Sequence, residues 1–202
     1  LMALSLSSAP ATEPVTLAEA KTHLRIDHTA EDDYIEDFLI PAARRYAETL
    51  TQRAFITQTW VLRLNGFGVD PIFLPRPPLV SITSITYTDN AGDSQTWAAS
   101  STGYVLERPT GEYAMNASVR PAYSVAYPTT RNDVDSVVLT YVAGYGAASV
   151  VPMGIKQGVL MLVDDLYSHR GSRTDKPSVP AAIAAQALLS PFIGYRYDLR
   201  FG

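Results

Sequence analysis

The sequence predicts an α+β protein. N- and C-terminal helix pairs form a four-helix base, and an antiparallel β-sandwich or barrel-like module is inserted between them. Three observations support this reading. Apolar residues recur at helical spacing before about Gln52 and again after Pro152. Between Phe55 and Tyr145 the pattern changes to short β-branched and aromatic runs separated by turn formers. With 47% hydrophobic and 18% charged residues among 202, the chain has ample material for a core and needs no metal or disulfide staple. The expected segments are an arm and helices over 1–54, the β module over 55–148, helices over 149–193 and a terminal segment over 194–202.

The opening LMALSLSSAPA has no basic leader and no long apolar run. It reads as a disordered or partner-contacting arm and not as a signal peptide. Thr16 and Glu19 have the spacing of a capping box, in which each side chain satisfies a backbone N–H at the helix start. The helix that follows is expected to end near Ile26. A second helix begins after Thr29, with Glu31, Asp32 and Asp33 in the first turn, where carboxylates suit the positive end of the helix dipole. Ile35, Phe38, Leu39, Ala42, Tyr46 and Leu50 form its predicted apolar face. Pro41 lies inside this pattern and predicts a kink or a division, because it lacks one backbone donor.

In ITQTWVLRL, Ile56, Gln58, Trp60, Leu62 and Leu64 alternate with residues of the opposite face, as a strand requires. LVSITSITYTD, QTWAA, GYVLER and DSVVLTYVAGY read as further strands, separated by turn formers at 89–92 and 109–111. The apolar side of LVSITSITY moves from Val80 and Ile82 to Ile85 and Tyr87. That odd step predicts a bulge near Thr83 and Ser84. The prolines of LPRPPL confine it to a loop or a sheet edge. Pro152 suits a first helical turn, and Ile155, Val159, Leu162, Val163 and Leu166 form the face of the helix behind it. RGSRTDKPS is a polar loop, and a last helix runs from about Pro180 to Leu189, before Pro191.

Composition narrows the chemistry. There are no cysteines, so disulfides, thiolate metal sites and cysteine nucleophiles are excluded together. The formal net charge is -4 and the sequence pI is about 5.3, a balance that does not invite nucleic acid over the whole surface. No stretch approaches the roughly 20 apolar residues that cross a bilayer, so the reading is of a soluble chain made in the cytoplasm, without a membrane partner. His23, His28 and His169 lack metal-ligand spacing, and no phosphate-loop, dinucleotide or hydrolase motif is present. Glu31-Asp32-Asp33, Glu36-Asp37 and Asp164-Asp165 are adjacent in sequence, and adjacent helical residues diverge by about 100°. Paired-carboxylate catalysis needs groups that converge across a cleft. Arg170, Arg173 and Lys176 share a loop that Asp175 interrupts, which suits a solvated loop better than a nucleic-acid surface. No catalytic residue, cofactor or metal is assigned.

The order of these pieces resembles a known family. VTLAEAKTHLRID followed by EDDYIEDFLIPAARRYAETLTQRAFITQTW is similar to the opening of head–tail connector (adaptor) proteins of tailed bacteriophages and gene transfer agents. LPRPPLVSITSITYTD resembles the family's strand entry, and VPMGIKQGVLMLVDDLYSHRG and VPAAIAAQALLSPF resemble its closing helices. Each motif is mostly apolar spacing, and their order is the more specific signal. Pro41 and a longer, more aromatic terminal segment depart from the simplest members.

The resemblance implies a non-enzymatic structural protein of the virion neck. Its homo-oligomeric ring, commonly twelve-fold, sits below the portal protein and adjoins a stopper or tail-completion protein. Double-stranded DNA passes through the ring without sequence specificity. The resemblance also implies that the C-terminal segment reaches the portal. That segment holds Tyr195, Arg196, Tyr197, Asp198, Leu199, Arg200 and Phe201, too few and too irregular for a core of their own. A ring needs two different patches per copy, and Leu160, Met161 and Tyr167, beside the main apolar face of their helix, are candidates for one of them. A conduit for sliding DNA should avoid a basic lining, which binds phosphates by counterion release. Asp32, Asp33, Glu36 and Asp37 are candidates to line it. Two other readings remain: a stopper or tail-completion protein, and a carbohydrate-binding or hydrolytic β module using Trp60 and Trp97, with Asp164 or Asp165.

Overall fold

The computed structural model describes residues 2–68, 71–169 and 180–194, with the side chains of 180–182 excepted. The chain divides into two compact units, one of Leu1–Ala11 with Thr57–Tyr145 and one of Thr12–Ile56 with Gly146–Gly202.

The first unit holds eight strands: β1 (Met2–Ser8), β2 (Gln58–Leu64), β3 (Ile72–Leu74), β4 (Leu79–Thr88), β5 (Ser94–Thr96), β6 (Tyr104–Glu107), β7 (Ala117–Pro121) and β8 (Val137–Ala143). They form two antiparallel sheets, in the orders β1-β2-β8-β4-β5 and β3-β7-β6. The expected N-terminal arm is instead β1. Met2, Leu4 and Leu6 lie opposite Leu64, Leu62 and Trp60, so its alternation of apolar and small polar residues matches the period of a strand. Along β8, Val137, Leu139, Tyr141 and Ala143 are buried and the residues between them are half-buried. Ile85 and Leu62 flank Leu139 on the same face and complete the centre of that sheet's buried side.

The expected bulge is present. The β4–β8 register slips between Ile82 and Ser84, and again between Leu79 and Ser81. The slips let the apolar side of β4 change parity, so that Leu79, Ile82, Ile85 and Tyr87 lie opposite Ala143, Tyr141, Leu139 and Val137. The β4–β5 turn is held by Asp89, whose Oδ1 accepts from the backbone N–H groups of Ala91, Gly92 and Asp93 at 2.9–3.1 Å. Aromatic rings join the sheets: Trp97, following β5, packs against Tyr104 of β6 at 5.2 Å and against Phe67 at 4.9 Å. Gly103 sits where the chain passes the Ala98 carbonyl, and a Cβ there would lie 1.9 Å from that oxygen.

The second unit is helical: α1 (Leu17–Leu24), α2 (Asp32–Tyr34), a π turn over Ile35–Leu39, α3 (Ile40–Thr51), α4 (Met153–Ser168) and α5 (Pro180–Leu189). α4 packs against α1, α3 and α5. The capping box forms as expected: Glu19 N donates to Thr16 Oγ1 at 3.2 Å, and Thr16 N donates to Glu19 Oε2 at 2.7 Å. α1 stops at Arg25, which takes the left-handed conformation at φ 58°.

Pro41 neither breaks nor divides the second helix. Helical conformation runs through it from the preceding turn into α3, so Pro41, which has no N–H, forfeits one bond to that turn. The turn before it closes with the wider i→i+5 pattern, Ile40 N–H donating to Ile35 O. This changes which residues are inside. A regular helix continued from Ile35 would bury Ala42, Tyr46 and Leu50, whereas Ala43, Ala47 and Thr51 are the fully buried positions. Phe38, which the sequence places on the core face, is 64% exposed, and Tyr46 is 48% exposed. One extra residue in the turn advances the face by one position. On α4, Ile155, Val159, Leu162 and Val163 are buried as expected, but Leu166 is 39% exposed, because the apolar contact stops one turn before the helix ends.

α4 and α5 approach closely through glycine. A Cβ at Gly158 would meet Leu189 Cγ at 2.9 Å, and one at Gly154 would meet the Phe192 ring at 3.1 Å. Around α3 a polar network is buried. Arg44 donates to Glu13 at 2.6 Å and to Glu48 at 2.9 Å, while Glu48 Oε1 accepts the backbone N–H of Phe55 at 2.9 Å. Burial alone would lower the pKa of Arg44, but the bond to Glu13 and the charge of Glu48 outweigh it and raise it.

Candidate assembly surfaces

The candidate assembly residues that the structure describes lie on the helical unit. α1 is fixed to α4 by Lys156, whose Nζ donates to Glu19 Oε1 at 2.5 Å. Burial would raise the Glu19 pKa, yet Lys156 and the Thr16 N–H hold it below the usual carboxylate value. The α1–α2 connection is fixed by Lys21 to Asp32 at 2.5 Å, and Tyr167 of α4 donates its hydroxyl to Glu31.

These contacts sort the candidate residues. Of the four proposed channel carboxylates, Asp33, Glu36 and Asp37 are exposed along one segment. Asp32 is half-buried and ion-paired with Lys21. Leu160, Met161 and Tyr167 are each half-buried on α4. Leu160 lines an open recess of about 390 Å³ with Ala18, Glu19, Thr22 and His23 of α1, and Tyr167 is tied to Glu31. Tyr195, Arg196, Tyr197, Asp198, Leu199, Arg200 and Phe201 lie outside the described residues.

The chain leading to that segment is anchored. Gly194 N donates to the Thr51 carbonyl at 2.9 Å, at the C-terminal end of α3, where a carbonyl has no helical partner. Arg53, 1% exposed, donates to the Phe192 carbonyl.

Sequence reasoning missed one surface. Tyr34 and Phe38 stack at 6.0 Å, and Ala42 and Tyr46 continue the exposed row at steps of four along α3. Gln186 of α5 donates to the Tyr46 hydroxyl at 3.4 Å, and Ile183, three residues earlier, is also exposed. Helical periodicity predicts Phe38, Ala42 and Tyr46 of this row in the core. The proline next to it was the available sign that the phase would change.

Among the described residues, Trp60 and Trp97 form no open platform for the sugar-binding reading. Trp97 is 6% exposed within the aromatic cluster, and the Arg76 guanidinium lies over the Trp60 ring, 5.2 Å from its centre. Asp165 pairs with His169 at 3.3 Å, and Asp164 accepts from Ser168 at 3.5 Å. Among the described residues, no three His, Asp or Glu side chains come together as metal ligands. No helix among them is long and apolar enough to cross a membrane.

Residues 14–103 match the family described as Phage gp6-like head-tail connector protein. No match is found among curated proteins. Among solved structures, the chain is similar to one in the virion of the native gene transfer agent (GTA) particle, with 24% identity, a TM-score of 0.76 and 96% of each chain covered. The same values describe a chain in the neck of the empty GTA particle computed with C6 symmetry. A chain in the neck of the native GTA particle computed with C12 symmetry is 23% identical, with a TM-score of 0.66 over 95% of this chain and 96% of that one. Residues 14–103 thus carry the pattern of the phage gp6-like head–tail connector family, the family that the helical segments and the proline-rich strand entry resemble in sequence.

Proposed function

We propose that this chain is a structural connector of the virion neck, forming a closed ring between portal and tail and acting through contacts, without catalysis. The observation that carries the reading is the fold likeness to chains of GTA neck and virion structures over 96% of the chain, joined by the family pattern at residues 14–103. The ring is twelve-fold in the particle, following the C12 symmetry of the native GTA neck. The cluster of α1, α3, α4 and α5 is its four-helix base, and the partners are the portal protein and a stopper or tail-completion protein. Electron microscopy of particles carrying a tagged chain tests this. Tag density at the neck is expected; density elsewhere overturns the reading. Pull-down against portal and tail proteins separates a portal-bound adaptor from a stopper.

Asp33, Glu36 and Asp37 line the conduit, and Asp32 serves its local ion pair. A ring repeats their charge in every copy, so the wall repels DNA phosphates and holds no counterion-release site. Replacing Glu36 and Asp37 by lysine should slow DNA ejection severalfold, measured as release from purified particles. Unchanged ejection from particles with intact necks removes the assignment.

The residues from Tyr195 onward dock on the portal. Each large apolar side chain buried there contributes at most about 1.5–3 kcal/mol, against about 1–2 kcal/mol for each backbone residue ordered. One segment is a modest binder, and a ring presents many at once. Arg196 and Arg200 add bidentate pairs with acidic groups. Deleting Tyr195 to Gly202 should leave circular dichroism and the thermal midpoint unchanged, because Gly194 keeps its bond to Thr51, and should abolish portal attachment in the pull-down. Normal portal attachment by the truncated chain refutes the docking role.

A further inference from the structure

We infer that Arg53 is a positioning residue for portal docking: together with the Thr51 carbonyl it clasps residues 192–194 to the end of α3, so the docking segment starts from one fixed point. The inference rests on the docking role proposed above for Tyr195 onward. Chain ends fray unless something ties them down. Here the chain is tied beyond its last helix, which ends at Leu189. Phe192 is 3% exposed, and a Cβ on Gly154 of α4 would come within 3.1 Å of its ring, so glycine makes room for it. The Phe192 carbonyl accepts from Arg53 Nε, and Gly194 N, itself buried, donates to the Thr51 carbonyl at 2.9 Å. Ile193 between them is 44% exposed, so beyond Phe192 the chain is held by its backbone.

Arginine is almost never fully buried unless paired, and an apolar side chain in such a place is often the more stable choice. Arg53 is nonetheless 1% exposed, and it grips backbone just before Tyr195. Thr51 closes α3 and is fully buried, and its carbonyl is among those that a helix end leaves without a helical partner. Both grips therefore sit at the end of one helix. A tethered ligand binds best when its anchor lies at the right distance from its site, and a fixed anchor has less freedom to lose on docking. In a closed ring every copy is equivalent, so identical exits present the docking segments at equal intervals to a symmetric partner.

The test displaces the exit without touching the docking residues. A variant with Gly-Ser-Gly-Ser inserted between Gly194 and Tyr195 keeps the clasp and every residue beyond it. It should bind purified portal protein about tenfold more weakly, with circular dichroism and the thermal midpoint unchanged. Arg53→Met, an apolar chain of similar length, should weaken binding by a similar factor, and Arg53→Lys, which can still donate to the Phe192 carbonyl, should recover most of the loss. Insertion and Arg53→Met remove the same fixed exit, so together they should weaken binding no more than the larger of the two alone. An arginine needed only for folding would instead add its effect to that of the insertion. Wild-type binding by the insertion variant overturns the inference, and so does additivity. Should Arg53→Met fail to fold, the insertion alone decides. A chain ending at Gly194 is measured alongside. If it binds portal normally, the docking role itself fails; if it stays detached while the insertion variant binds normally, only the clasp's role fails.

Discussion

Glu48→Ala is expected to lower the free energy of unfolding by about 3–5 kcal/mol, the range for removing one partner of a buried ion pair. Glu48 is 7% exposed and has two tasks at once. One oxygen accepts from Arg44, and the other accepts the Phe55 N–H, where the chain leaves α3 for the first strand that follows it. Truncation leaves that N–H without its acceptor and leaves Arg44, also buried, with Glu13 as its remaining carboxylate. Glu48→Gln separates the two tasks: its carbonyl oxygen can still serve Phe55, while the charge that Arg44 needs is gone. Its cost should be about half as large, near 2 kcal/mol, within the range for hydrogen bonds to charged groups. Urea unfolding followed by far-ultraviolet circular dichroism measures both. An alanine variant within 1 kcal/mol of wild type would show that the network contributes little, in conflict with the unpaired-donor penalty.

The second large effect is at the α4–α5 crossing. Leu189 is fully buried and lies against Gly158, so Leu189→Ala should cost about 2–5 kcal/mol through lost burial and a cavity. Gly158→Ala alone brings two opposed terms. Alanine gains about 1 kcal/mol in helix propensity, but its Cβ falls 2.9 Å from Leu189 Cγ, and overpacking costs about 1–3 kcal/mol. The expected net is a loss of roughly 1 kcal/mol. In the Leu189→Ala background the obstructing atoms are gone. There the same Gly158→Ala change should stabilise by about 1 kcal/mol. The sign reversal, a coupling of about 2 kcal/mol, is the diagnostic. Additive effects in the double variant would mean that the two residues do not share the contact.

What could be read from sequence depended on how local the cause was. The capping box of Thr16 and Glu19, the slip at Thr83 and the bounds of the last helix are set by neighbouring residues, and all three appear where expected. The segment of β1 reads as an arm because the short alternation from Leu4 to Ser7 reveals no partner; the partner, β2, begins fifty residues after β1 ends. β7 escaped for the same reason, since ASVRP gains its strand character by pairing with β3 and β6. Counting the period correctly but at uniform pitch places Phe38 and Tyr46 in the core, and the wider turn moves them out. Leu160 was legible as lying beside the main face, but its recess was not, because four of the five lining residues come from a helix far away in sequence.

The wide turn before Pro41 also restricts how this chain can vary. Removing one residue between Ile35 and Leu39 would restore a regular helix, yet everything upstream would swing by about 100° relative to α3. Lys156 would lose Glu19, Tyr167 would lose Glu31, and Phe38 would rotate away from its present direction. In this segment substitutions should be tolerated more readily than gaps, and sequences that drop the extra residue should also have lost the proline that accompanies it.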